Sequence, residues 1–148
     1  MNLQEKLRAD LFGAVKGGDK VRRSAIRLVL AEIKNAEIDQ GSALDDNGVM
    51  GVLAKEARRH KESIEAFQKG NRQDLVDIEQ AELDVIQSYM PKSMSPEELA
   101  AYVRKVVQEV GATGPREKGK VMPRLVADLK GRAEGKDIAK AVSDILGG

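Results

Sequence analysis

The sequence predicts an all-α protein: an N-terminal four-helix region followed by a small C-terminal three-helix module. Apolar residues recur every three or four positions along most of the 148 residues, the period of an amphipathic helix. The composition is 33% charged and 3% aromatic, without the aromatic and β-branched enrichment of strands. Glycines and prolines interrupt the apolar pattern at spacings that suit helix ends.

Leu3, Leu7, Leu11 and Val15 line the first helix, with Asn2 placed to cap it, Glu5 three positions after that cap, and Gly17-Gly18 to stop it. Asp19 caps a second, long helix that ends near Gly41, with Val21, Ala25, Leu28, Val29 and Ile33 as its apolar stripe. Arg22, Arg23 and Arg27 lie away from that stripe. Asp45 is the cap expected for a third helix, where Val49, Val52, Leu53, Ala57, Ile64 and Phe67 share a broad face up to Gly70-Asn71. Asn71 is expected to cap the fourth, whose Leu75, Ile78, Leu83, Ile86 and Met90 run to Pro91.

The segment Pro91 to Pro96, PKSMSP, has the composition of a domain boundary, which predicts domains at residues 1–92 and 93–148. Ser95-Pro96-Glu97-Glu98 then joins an N-cap serine, a proline at the first helical position and a glutamate at the third. The helix it opens carries Leu99, Val103, Val106, Val107 and Val110 and stops at Gly111. Two further helices are expected over about Pro115 to Leu129 and Lys136 to Leu146, joined through Gly131 and Gly135 as left-handed cap and turn. Pro123 predicts a kink or a late start, and Gly119 a close approach of another backbone or a ligand.

The absence of cysteine removes disulfides, thiolate nucleophiles and cysteine-based metal sites, and fits a reducing compartment. With an N-terminus that reads neither as a signal nor as a transit peptide, and no apolar run near the roughly 20 residues that span a bilayer, the chain is expected to be soluble and cytoplasmic, without a membrane partner. Net charge is only +1, yet residues 1–92 sum to −1 and residues 93–148 to +2. Within Arg116 to Lys140, eight cations face four acids.

Gly114 to Lys120 matches the GxxxxGK spacing of a phosphate loop, but Val121 stands where a hydroxyl would bind Mg²⁺ and a helix rather than a strand precedes it. The stretch reads as a helix start with solvated charges. His60, the single histidine, has no cysteine or serine elbow to work with and reads as lining a helix face beside Arg58, Arg59 and Lys61. Glu62, Glu65, Glu79, Glu82 and Asp84 read as solvated helix faces. No catalytic residue, metal ligand or cofactor is assigned.

The expected contacts are instead phosphate contacts from Lys118, Lys120, Arg124, Lys130, Arg132 and Lys136, gathered around the glycine joint, with backbone approach at Gly119, Gly131 and Gly135. A second basic cluster comprises Lys16, Lys20, Arg22, Arg23 and Arg27. Four aromatic residues are too few for base-stacking platforms, so any RNA would be held by backbone and shape; no DNA partner is expected.

The stretches SAIRLVLAEIKNAEI, AKEARRHKESIEAFQKGNRQDL, AELDVIQSYMPKSMS and GKVMPRLVADLKGRAEGK, in that order and spacing, resemble the YqeY-like family of small bacterial proteins over essentially the whole chain. The C-terminal part is similar to the tail of the B subunit of the glutamine-dependent amidotransferase acting on Glu-tRNA and Asp-tRNA. The family patterns GKxM and KGRAxGK stand here as Gly119 to Met122 and Lys130 to Lys136, and Pro123 departs from the usual residue. The resemblance implies a two-domain helical protein linked to tRNA or a tRNA-modifying complex. It does not carry over the chemistry: the glutaminase nucleophile and the metal-dependent transfer domain belong to parts absent from this chain. A non-catalytic tRNA-binding module is therefore expected; the alternatives are a carbon-nitrogen ligase with glutamine as amido-N-donor and a helical protein-protein adaptor.

Overall fold

The structure is a computed structural model that describes residues 1–147. Among them are seven α-helices and no strand: α1 (Leu3–Gly17), α2 (Lys20–Gln40), α3 (Asp46–Lys69), α4 (Gln73–Gln87), α5 (Pro96–Val110), α6 (Lys118–Asp128) and α7 (Gly135–Leu146). The chain divides into two compact units, Met1–Pro91 with α1 to α4 and Lys92–Gly148 with α5 to α7.

In the first unit each early helix begins on a side chain that accepts an otherwise unmet backbone N–H. Asn2 Oδ1 takes Glu5 N–H at 2.8 Å, Asp19 Oδ1 takes Arg22 N–H at 3.0 Å, and Asp45 Oδ1 takes Gly48 N–H at 2.8 Å. Asp19 also closes the helix before it. Its own N–H reaches Ala14 O at 2.9 Å while Gly18, in the left-handed region at φ 74°, donates to Val15 O at 3.3 Å. Asn71 does not cap α4 as expected. It adopts φ 54° and follows the end of α3, with Arg72 N–H on Phe67 O at 2.9 Å, and Arg72 takes the N-cap position of α4 without a side-chain cap hydrogen bond. Asparagine tolerates the left-handed conformation, and that use of Asn71 excludes the other.

α3 and α4 pack as a hairpin, α1 lies on α2, and α2 packs against α4. Their core holds Leu7, Ile26, Val29, Ile33, Val49, Leu53, Leu83 and Ile86. The stripe expected on α2 is shifted: Val21 and Leu28 are 38% and 37% exposed, and Ile26 takes the interior at 1%. Val15 and Ile78, also expected inside, are exposed.

In the second unit Ser95 Oγ accepts Glu98 N–H at 3.1 Å, the N-cap read from the sequence, and its hydroxyl donates to Glu98 Oε1 at 3.3 Å, so the glutamate meets the serine side chain rather than its backbone N–H. The three helices pack pairwise around Leu99, Val103, Val106, Val121, Leu125, Leu129, Ile138 and Val142. The helix expected from Pro115 is in two pieces, a 3-10 turn at Pro115–Glu117 and then α6. Pro123 sits inside α6 on its exposed side, where its missing N–H leaves Gly119 O without the usual helical partner. A Cβ at Gly119 would meet nothing within 4 Å, so the expected close approach of another backbone is absent. Gly131 has φ 82° and needs to be glycine; Gly135 is simply the first residue of α7.

Candidate anion-binding surfaces and a buried histidine cluster

The six C-terminal cations expected to hold phosphate are not equally available. Arg124 donates to Glu109, lies 3.5 Å from Asp128, and shares Asp128 with the Tyr102 hydroxyl at 2.7 Å. This network fastens α6 to α5. It holds the Arg124 guanidinium above its ordinary value through the hydrogen bond to Glu109, and raises Tyr102 through the hydrogen bond to Asp128. Arg132 Nε donates to Lys92 O at 3.4 Å, and Arg132 O accepts from Met94 N–H at 3.1 Å, so Arg132 anchors the segment that leads into α5. Lys118 Nζ lies 3.0 Å from Ser143 Oγ, joining α6 to α7.

Lys120 and Lys136 make only loose surface pairs, with Glu117 at 3.8 Å and Glu134 at 3.7 Å. Such exposed pairs contribute little and exchange readily for another anion. Lys130 is exposed and has no acid within ion-pair distance among the described residues. α7 opens at Glu134 with no side-chain cap hydrogen bond: Asp137 N–H is taken by Glu134 O at 3.0 Å, the positive dipole end falls at exposed Gly135 and Lys136, and Asp137 is the acid of the same first turn.

On α2, by contrast, Lys20, Arg22, Arg23 and Arg27 have no ion pair among the described residues. Arg23 and Arg27 line an open cleft of about 550 Å³ with Ser24, Leu28 and Glu82. Ser24 Oγ donates to Glu82 Oε2 at 2.6 Å and so links α2 to α4.

His60 corrects the sequence reading most strongly. It is 4% exposed, facing α4 rather than solvent. Its Nδ1 lies 2.8 Å from Glu56 O, which makes Nδ1 the protonated nitrogen and leaves Nε2 an acceptor in the neutral ring. Nε2 points toward Glu79 Oε2 at 3.6 Å and Glu82 Oε1 at 3.5 Å. Those glutamates, expected to be solvated, are only 24% and 14% exposed. One turn before His60, Glu56 is fully buried, and neither carboxylate oxygen makes a hydrogen bond, although Arg59 Nη1 stands 3.0 Å from Oε1. Burial pushes the Glu56 carboxyl above its usual range, against the opposing pull of Arg59. The available signal was the register Leu53, Glu56, Ala57, His60, Ile64, in which both polar residues fall on the apolar face.

No helix among the described residues is long and apolar enough to cross a membrane. Comparison with known proteins finds the family model described as Yqey-like protein matching residues 4–146. A protein of Pyrenophora tritici-repentis, named altered inheritance of mitochondria protein 41, mitochondrial, is 31% identical over 145 residues, covering 96% of this chain and 80% of its own. The protein of the same name from Lachancea thermotolerans is 37% identical over 112 residues, 74% of this chain and 60% of its own. In Saccharomyces cerevisiae the matched part is 85 residues at 38% identity, 57% of this chain and 46% of the relative. These relatives are fungal and carry mitochondrial names, which overturns the cytoplasmic expectation and the bacterial setting that came with the resemblance. A lack of cysteine and of long apolar runs describes a reducing matrix as well as a cytosol, so neither feature could separate them. With the family model spanning nearly all of the sequence, the chain belongs to the YqeY-like family.

Proposed function

We propose that the chain is a non-catalytic helical module that contacts structured RNA, tRNA in the first instance, through backbone phosphates. The observation that carries this reading is the uncapped start of α7 beside Lys130 and Lys136. A helix start without a side-chain cap, its positive dipole end and lightly engaged ammonium groups suit a phosphate oxygen. Lys118 and Lys120 extend the contact, while Arg124 and Arg132 shape the surface from their structural positions. Gly131 keeps the joint tight, and Gly119 and Gly135 leave the backbone uncovered nearby. A mitochondrial setting, taken from the relatives' names, fits the reading, because that compartment translates with its own tRNA.

The unpaired arginines of α2 favour a second placement of the same function, with Arg23 and Arg27 at the phosphates. Titration of the full chain with tRNA between about 50 and 200 mM salt tests both, since each phosphate contacted adds roughly −0.7 to −0.9 to the log-log slope. The α7 surface requires that the double substitution Lys130→Ala, Lys136→Ala flatten the slope by about two contacts while Arg23→Ala, Arg27→Ala leaves it unchanged. The reverse pattern moves the contact to α2. No binding at about 50 mM salt ends the RNA reading.

A further inference from the structure

His60, Glu79 and Glu82 bring one nitrogen and two carboxylate oxygens to a common point, all within 4.8 Å of one another. We propose that they form a binding site for a divalent first-row transition cation, with Zn²⁺ the best match, held by His60 Nε2 and one oxygen from each glutamate. The proposal is independent of RNA binding.

The two nitrogen–oxygen separations fit the ion, and the three ligand atoms lie within 4.8 Å of one another. Zn–N and Zn–O bonds of about 2.0–2.1 Å at tetrahedral angles put neighbouring donor atoms about 3.3–3.4 Å apart. The His60 nitrogen stands 3.6 Å from Glu79 Oε2 and 3.5 Å from Glu82 Oε1, close to that separation and longer than a good hydrogen bond. The ligands are also oriented. Nδ1 of His60 is fixed on Glu56 O at 2.8 Å, which directs the Nε2 lone pair at the two carboxylates, and Ser24 Oγ holds Glu82 Oε2 at 2.6 Å and leaves Oε1 for the ion. Hydrogen-bonded outer partners of this kind set the tautomer and raise ligand basicity at metal sites.

The arrangement is more than a run of surface acids. The nitrogen belongs to a ring that is 96% buried by its 4% exposure, and the carboxylates come from α4, on the far side of a helix turn. With a neutral ring, the three ligands carry a charge of −2 that a divalent cation cancels. Three protein donors leave a fourth position for water or another oxygen ligand, as in open zinc sites. Glu82 borders the cleft that Arg23 and Arg27 line, which provides a way in from solvent.

Equilibrium dialysis of the full chain against Zn²⁺ alone, followed by Co²⁺ substitution read from its visible d–d absorption, tests the site. One equivalent of Zn²⁺ is expected, with a Co²⁺ spectrum of nitrogen-oxygen coordination. Glu79→Gln and Glu82→Gln, which keep side-chain size, should each weaken Zn²⁺ by at least about tenfold. His60→Gln should remove the Co²⁺ spectrum. Glu62→Gln, outside the cluster, should change nothing. Because His60 is buried, circular dichroism of each variant accompanies the measurement, and the glutamine variants decide the question if His60→Gln fails to fold. Absence of saturable binding, or binding that both Glu79→Gln and Glu82→Gln leave intact, overturns the proposal.

Discussion

The Tyr89 hydroxyl donates to Asp10 Oδ2 at 2.5 Å across 79 residues of sequence, tying the chain just beyond α4 back to α1. Lys6 Nζ stands 5.7 Å from the centre of the same ring, so Tyr89 meets α1 by both its polar tip and its face. Tyr89→Phe keeps the ring and loses the hydrogen bond. Removing a hydrogen bond to a charged acceptor at a half-buried site should cost about 1–2 kcal/mol, read from urea unfolding at neutral pH.

The same pair gives a pH dependence with a definite sign. Burial, reinforced by the hydrogen bond to Asp10, raises the Tyr89 phenol well above its ordinary value. The folded chain therefore keeps that proton after the unfolded chain releases it, near pH 10. The stabilisation is complete below pH 10 and is lost as pH rises toward the folded value. The stability difference between the native chain and Tyr89→Phe should be constant from pH 7 to about 9.5 and shrink above that. A difference that grows above pH 10 would contradict the assignment.

Glu56 should be a net liability for stability at neutral pH. Its carboxylate is buried with both oxygens lacking a hydrogen bond, while its partner Arg59 remains half in water and can do without it. Glu56→Met, of similar volume, should stabilise the protein by about 1–3 kcal/mol. Thermal melts at pH 7 check the direction: a lower melting temperature would mean that the carboxylate is held by more than the structure shows.

Pro123→Ala restores an N–H that can reach Gly119 O inside α6. Proline also restricts the unfolded chain, which offsets part of the gain, so the net stabilisation should be about 1–2 kcal/mol. Hydrogen exchange at residues 121–127 should slow in parallel, which separates a repaired helix from a general effect.

Ser95→Ala removes the acceptor for Glu98 N–H and the hydroxyl that donates to Glu98 Oε1. A loss of about 1 kcal/mol is expected. It should appear as faster exchange in the first turn of α5.

The caps and stops were legible because they are local: Asn2, Asp19, Asp45 and Ser95 act on backbone three residues away, and Gly18, Gly41 and Gly111 close the helices the apolar period defines. Asn71 was misread because the same residue type suits both a helix start and a left-handed end, and the choice depends on how α3 and α4 dock. The histidine cluster needed the register between α3 and α4. Its polar members lie on the apolar stripe, and only the approach of Glu79 and Glu82 makes that placement intelligible. The basic residues near the glycine joint were visible as a group, but their partners were not: Glu109 reaches Arg124 from another helix, and the Lys92 backbone carbonyl accepts from Arg132 across 40 residues of sequence.

Asp19 finishes one helix with its backbone and begins the next with its side chain. The link between α1 and α2 thus has no slack: an inserted residue would have to break the closing bond to Ala14, the opening bond to Arg22, or both. Length variation should be tolerated better at residues 42–43, which Gln40 Nε2 holds by exposed bonds of 3.3 Å to Ser42 O and Ala43 O, while Leu44 is fixed by its N–H on Glu37 Oε2 at 2.9 Å and by packing on the core. An insertion scan across both linkers would show one hairpin of fixed geometry beside a connection that can be lengthened.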